Sequence, residues 1–309
     1  MGPDVRVGVT GASGLIGRSL VDALRERGDA TTTFVRPSTK SVTGDVIRWD
    51  PQHGDVDDGD LRRVGGLDAV VHLAGAGIGD RRWTTARRRE ILASRVDSTL
   101  LLARAMGELS SSEIFLASGS AIGWYGARGE EVLDESSPAG KGFLSDVCQQ
   151  WEDATMALLE RGVAVAHLRT GLVVSSNGGI VGKQLPLFRL GLGARLATGR
   201  QWMSPISLWD QVRAILWIID HRIIGPVNLS APQPLSNTSF TKLLAHQVHR
   251  PAFLSVPAVA LRAAFGSQMA DELLLASQRV LPKVLLDSGF TFAHPNGESA
   301  LKWALTTEK

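Results

Sequence analysis

The sequence is poor in the residues that would mark several protein classes. It has one cysteine, Cys148, in 309 residues. A lone cysteine excludes an internal disulfide and suits a reducing compartment, so a cytoplasmic protein is expected. Neither sign of charge is in excess: 33 Lys and Arg face 31 Asp and Glu, for a net +2. With no aromatics interleaved among the basic residues, nothing argues for nucleic acid as a partner. Long apolar runs are absent too. The stretch 214–219 is among the longest and falls far short of the ~20 residues that span a bilayer, so no membrane partner is expected. The first eleven residues run straight into a strand pattern, without the basic region and apolar core of a leader. Internal repeats, low-complexity tracts, heptads and linkers are missing. His246 and His249 stand i, i+3, but no cysteine or carboxylate completes a metal set, and no metal is expected.

What remains is an ordinary globular composition, 44% hydrophobic and 21% charged, long enough for one large domain or two medium ones. The chain is organised around VGVTGASGLIG at 7–17. A β-rich run feeds a glycine turn, and residues 15–27 then read as a helix. Gly11, Gly14 and Gly17 stand at G-x-x-G-x-x-G spacing. The first allows the tight turn, the second lets a pyrophosphate approach the backbone, and the third lets helix pack on strand. Phosphates would lie on the helix N-terminus, where free N–H groups and the dipole favour an anion. Gly11, Ser13, Gly14, Leu15, Ile16 and Gly17 are therefore the expected cofactor-binding residues of this turn. The competing reading is a plain glycine-rich strand-to-helix turn.

Strand and helix patterns then alternate. Strands are expected at 31–35, 46–49, 69–74, 114–117, 163–168 and 227–229, and helices at 84–109, 143–160 and 209–220, with a polar loop at 52–59. The run AVVHLA at 69–74 is apolar throughout, as a strand buried on both faces should be. Such alternation predicts an α/β fold, a Rossmann-type doubly wound parallel sheet. Beyond 236 the pattern is mainly helical, with Pro251, Pro257, Pro282 and Pro295 as punctuation. The expected division is a nucleotide-binding domain over 1–235, with a substrate-side insertion at about 172–205, and a smaller, mainly helical C-terminal substrate lobe over 236–309.

The end of the second strand decides the nucleotide. A carboxylate there would bind the adenine ribose 2′-hydroxyl, whereas an arginine accommodates a 2′-phosphate. The sequence reads Phe34-Val35-Arg36-Pro37-Ser38, without Asp or Glu. Arg36 offers a fork to phosphate, with Ser38 or Lys40 as further donors, so NADP is expected over NAD. The bland alternative is a solvated surface arginine. Leu73, Ala74 and Gly75, at the carboxyl end of the fourth expected strand, leave room for the cofactor. His72, inside that apolar run, reads as a packed core histidine. Arg81, Arg82, Arg87, Arg88 and Arg89 cluster around Trp83. They read equally well as an anion-recognition patch and as a solvated helix start.

Three stretches together, the 10–17 turn, His72-Leu73-Ala74-Gly75 and the run 118–126 (SGSAIGWYG), resemble the extended short-chain dehydrogenase/reductases, which include the sugar epimerases and dehydratases. The sequence is similar to one atypical branch of epimerase-family, nucleoside-diphosphate-sugar epimerase-like proteins. The similarity runs through R-R-W-T at 81–84, S-R-V with a following threonine at 94–99, residues 143–152, L-R-T-G at 168–171, residues 186–202 and a C-terminal domain of unknown function at 256–301. It covers nearly the whole chain. It implies cofactor contacts at Arg169 and Gly171 and a substrate-facing hydroxyl at Ser120, with Ser118 a close competitor. The Tyr-x-x-x-Lys pair usual in such reductases, in which lysine lowers the tyrosine pKa, is missing: those positions correspond to Leu144 and Cys148. Tyr125, the sole tyrosine, would substitute as acid only if its loop folded over the nicotinamide. A second departure is Ser204-Pro205-Ile206-Ser207, where the branch reads S-W-I-H.

Two functions follow as expectations. One is an NADP-dependent oxidoreductase or epimerase-like enzyme acting on a small carbonyl or hydroxyl substrate, in one form a nucleotide sugar, with Ser120 and Tyr125 as catalytic residues. The other is an NADPH-binding sensor or partner-binding module without turnover. Fold alone does not decide between them.

Overall fold

Short aliphatic runs separated by longer amphipathic segments build a parallel sheet with helices on both faces, in a computed structural model that describes residues 5–40, 43–107, 109 and 113–308. The first half runs β1 (Arg6–Thr10), α1 (Leu15–Arg27), β2 (Ala30–Val35), β3 (Asp45–Asp50), β4 (Asp55–Val56), α2 (Asp58–Val64), β5 (Ala69–His72), α3 (Thr85–Met106) and β6 (Phe115–Ala121). There follow β7 (Val132–Leu133), α4 (Phe143–Asp153), α5 (Met156–Leu159), β8 (Ala164–Thr170), β9 (Leu172–Ser175), α6 (Gly179–Arg189), α7 (Leu208–Asp220), the strand Gly225–Leu229 and α8 (Asn237–Gln247). The order across the main sheet is Gly225–Leu229, β8, β6, β5, β1, β2, β3, β4, with every neighbour parallel except the β3–β4 pair. β1 pairs with β2 on one side and β5 on the other. That reversal of strand order is the crevice where such sheets take ligands.

All four residues of β5 are buried. One face of the sheet packs Val7, Val9, Leu20 and Leu24 against Ile215 and Ile218 of α7, and the other packs Phe34, Val70 and Leu116 against Leu102 of α3. A third core joins Val174, Val181 and Phe188 to Phe240 and Leu301. The 172–189 segment and the C-terminal helices thus share one hydrophobic centre. The chain then returns to the sheet, where Leu285 and Phe290 enter the first core. Among the described residues no helix is long and apolar enough to cross a membrane.

Several boundaries differ from the sequence expectation by a few residues, the strand expected over 114–117 running on to Ala121, and three differences have a visible cause. The strand expected over 69–74 ends at His72, because the N–H groups of Leu73 and Ala74 turn aside to the Thr10 hydroxyl, at 3.0 and 3.1 Å. The single helix expected over 143–160 breaks at Ala154 and Thr155, where the Thr155 hydroxyl donates to the Glu152 carbonyl. The polar loop expected over 52–59 carries the short strand β4, antiparallel to β3.

Candidate functional site

The three turn glycines differ in what a side chain would meet. Gly11 has φ +67°, and a Cβ there would lie 2.7 Å from the Leu73 carbonyl, so the turn needs both the left-handed backbone and the missing side chain. At Gly17 a Cβ would fall 2.2 Å from the Gly11 oxygen, which closes helix on strand. At Gly14 it would meet only that oxygen, at 3.2 Å, and otherwise open space. Gly14 is also the N-cap of α1, with no side-chain cap and no acidic residue in the first turn. By contrast α2, α3, α7 and α8 each receive a side-chain cap, from Asp57, Thr84, Ser207 and Ser236. The N-terminus of α1 thus presents uncapped N–H groups and a positive dipole end to the crevice, with an open approach at Gly14. This fits a dinucleotide pyrophosphate. Ser13 and Gly14 are exposed, and Leu15 and Ile16 are half-buried.

Arg36 and Ser38 are exposed just past β2, where the Arg36 carbonyl accepts from the Thr39 N–H at 2.9 Å in a tight turn. No carboxylate pairs with Arg36 among the described residues. Leu73, Ala74 and Gly75 line the crevice across from the glycine turn, and Gly75 is exposed. His72 lies beneath them. It is fully buried, bonded to Thr10 Oγ1 at 2.8 Å and Ser98 Oγ at 3.2 Å, and burial drives its pKa down to about 3. It is therefore neutral and structural.

The far side of the crevice is built from β6, α3 and α4. Gly119 lets Trp151 lie on the strand, since a Cβ there would sit 2.6 Å from the indole. The Arg95 guanidinium lies over that ring, 5.0 Å from its centroid. It donates to the carbonyls of Ala76 and Ile91, at 3.0 Å each. Ser120 Oγ donates to Glu152 Oε1 at 2.6 Å, and Glu152 is clamped by Arg169 through two bonds of 2.9 Å. Cys148 is buried, and burial pushes its thiol up to about 11.

Two expected roles are corrected by this geometry. Tyr125 does not fold over the crevice. It lies fully buried on the 3-10 turn Ile122–Tyr125, where its hydroxyl donates to Asn228 Oδ1 at 2.7 Å and accepts from Arg169 Nη1 at 3.2 Å. Burial pushes its pKa up to about 12, against the pull of Arg169. A phenol so enclosed reaches no substrate and donates no proton. Arg169 is not available to a cofactor either. It is 3% exposed, bonded to Glu152 and Tyr125, and stacked 3.9 Å over Trp124. Gly171 is kept by packing, because a Cβ would sit 2.5 Å from the Ser204 oxygen. Ser118, the competitor of Ser120, is buried with no hydrogen-bond partner among the described residues.

The arginine cluster divides. Arg87 is buried, donating to the Gly77 carbonyl and pairing with Glu90 at 2.8 Å, while Arg88 donates to Gln268 at 2.6 Å. Arg81, Arg82 and Arg89 are exposed. Ser207, at the branch's histidine position, caps α7 and bonds His294 at 2.9 Å. Sequence reasoning gave no role to Glu152, Arg95 or Glu272. Glu272 accepts the Leu144 N–H at 2.9 Å, so the C-terminal segment sits where the missing tyrosine would start. The only sequence signals for these were their places inside runs shared with the epimerase-like branch.

Residues 7–229 match the family model of the NAD dependent epimerase/dehydratase family, and residues 256–304 match DUF1731, a domain of unknown function. An epimerase family protein of Mycobacterium tuberculosis is 41% identical over 301 residues, covering 97% of each chain. The crystal structure of human epimerase family protein SDR39U1 with NADPH superposes with a TM-score of 0.86 at 29% identity, over 98% of this chain and 100% of that one. A nucleoside-diphosphate sugar epimerase from Corynebacterium glutamicum superposes at 0.78 with 32% identity, over 99% of this chain and 59% of that longer one.

Proposed function

Because the chain belongs to the NAD dependent epimerase/dehydratase family, we propose that its crevice holds NADP(H) and serves oxidoreductase or epimerase-like chemistry on a small carbonyl or hydroxyl compound. A nucleotide sugar is one form such a substrate takes. The observation that carries the choice of nucleotide is the end of β2. An exposed arginine, with no acid beside it, stands where a ribose-reading carboxylate would favour NAD. The NADPH in the human relative's structure supports the same reading.

Each part of the chain has a task in this scheme. The α1 N-terminus takes the pyrophosphate, Arg36 and Ser38 the 2′-phosphate, and the 73–75 turn the space between. When bound, the nicotinamide supplies or takes the hydride. On the substrate side Ser120, itself buried, keeps a lone pair free while its hydroxyl donates to Glu152. It therefore positions a substrate hydroxyl more readily than a carbonyl. Tyr125, Leu144 and Cys148 supply no acid.

The same locked hydroxyl favours a second reading, a nucleotide-binding module without turnover. Titration with NADPH and NADH tests the first claim. Wild type should prefer NADPH, and Arg36→Ala should weaken NADPH about ten- to a hundredfold, since a charge-assisted bond is worth roughly 1.5–3 kcal/mol. NADH affinity should hardly move. Equal affinity of wild type for both nucleotides would overturn the assignment. Single-turnover hydride transfer against a carbonyl panel then separates the enzyme from the module.

A further inference from the structure

Arg95 is a half-buried guanidinium beside the crevice with no carboxylate to neutralise it. It lies among the Ala76 and Ile91 carbonyls, the Trp151 ring and the space left by Gly75, whose Cβ would stand 3.2 Å from its central carbon. Among the described residues no carboxylate oxygen comes within 4 Å of it. The charged neighbours do not compensate. Glu152 is spent on Arg169, His72 and Cys148 are neutral, and the charge on its own helix that acts on it is Arg87, another cation. Desolvation brings the Arg95 pKa down to about 10, so the group is still charged at neutral pH.

The place of this charge follows from the fold. The adenine ribose reads the end of β2 and the pyrophosphate rests on α1. With those two groups held there, a nicotinamide half would fall on the other side of β1, over β5 and β6, and Arg95 would be the charge it meets. The oxidised nicotinamide ring carries a formal positive charge that the dihydro ring lacks. A fixed, poorly solvated cation repels the first and not the second, and in a site of reduced dielectric that repulsion is substantial.

We propose that Arg95 makes this crevice selective for the reduced cofactor, so that NADPH binds more tightly than NADP+. The proposal rests on the NADP(H) reading above and goes further, assigning the redox state that the site retains. An enzyme so built is poised to hold the reduced cofactor, and a module so built reports NADPH rather than total NADP.

The test is equilibrium titration of the full chain with NADPH and with NADP+, for wild type, Arg95→Met, Arg95→Gln and Arg95→Lys. Wild type should prefer NADPH by about tenfold or more. Tenfold corresponds to about 30 mV in the potential of the bound two-electron couple. Arg95→Met should lower the preference below about threefold, mainly by strengthening NADP+. Removing a half-buried charge that has no counter-ion relieves its partial desolvation, so the fold should tolerate the change. Arg95→Gln keeps an N–H for the Ala76 carbonyl and supplies a second neutral variant should Met disturb the site. Arg95→Lys retains the charge and should retain the preference. Equal wild-type affinities, or an unchanged preference in the neutral variants, would overturn the proposal. If wild type binds neither nucleotide, the NADP(H) reading itself has failed, a result distinct from binding both equally.

Discussion

Tyr125 looks chemical in the sequence because it is the sole tyrosine, and the fold makes it structural. Its hydroxyl ties the 3-10 turn after β6 to Asn228 and, through Arg169, to Glu152. Tyr125→Phe leaves Asn228 Oδ1 without its donor and Arg169 Nη1 without this acceptor. Orphaning buried polar groups costs about 1–3 kcal/mol. The variant should therefore unfold at lower denaturant with an unchanged slope, and it should bind NADPH like wild type. A stable variant that loses nucleotide binding would show that the tyrosine acts in the crevice after all. Glu152 presents the opposite case, a residue that looks like surface charge on an amphipathic helix. It proves to be the hub joining Ser120 to Arg169, because these two partners, from β6 and β8, converge on it only after the chain folds.

Among the elements, the turn from β1 to α1 separates two uses of glycine. Gly17→Ala places a methyl 2.2 Å from the Gly11 oxygen. Backbone must shift to admit it, at a cost of the order of 1–3 kcal/mol, as overpacking usually does. Gly14→Val meets only the Gly11 oxygen, at 3.2 Å, and should fold after a small local shift, yet its side chain fills the approach to the α1 N-terminus. Circular dichroism with NADPH titration should find Gly17→Ala destabilised and Gly14→Val folded but unable to bind. A Gly14→Val that binds normally would remove the pyrophosphate from this turn. The alternation of strands and helices, the glycine turn and the fully buried β5 were legible in the sequence because each depends on neighbours within a few residues. The end of β5 was not, since it is set by Thr10, more than sixty positions earlier. The helix break at 154–155 was hidden for a similar reason: Thr155 bonds the Glu152 carbonyl locally but is held by His167 of β8 at 2.9 Å. Arg95 and the Ser120–Glu152–Arg169 chain stayed illegible because neither is a pattern of spacing. Both arise from three or more elements meeting at the carboxyl edge of the sheet.

At the scale of the whole molecule, three histidines with lowered pKa values make the fold sensitive to acid. His72, His167 and His294 all have pKa values lowered in the folded state, chiefly by burial, and His72 is taken down to about 3. His72 sits at the β1–β5 junction beneath the crevice, His167 at the β8–α5 contact and His294 at the join of the C-terminal segment to α7. Each is neutral when folded and takes up a proton near pH 6.5 when unfolded. The unfolded chain thus binds more protons as the pH falls below about 6.5, so stability declines with acid. For His72 the loss continues down to about pH 3, where the folded form titrates as well. His72→Asn retains hydrogen bonding toward Thr10 without a titratable ring. It should be less stable than wild type at pH 7.5, because packing is lost, yet its stability should fall less steeply between pH 6.5 and 4.5. Denaturant unfolding at four or five pH values across that window measures both slopes. Parallel slopes would mean that His72 is not the group through which acid loosens the strand junction.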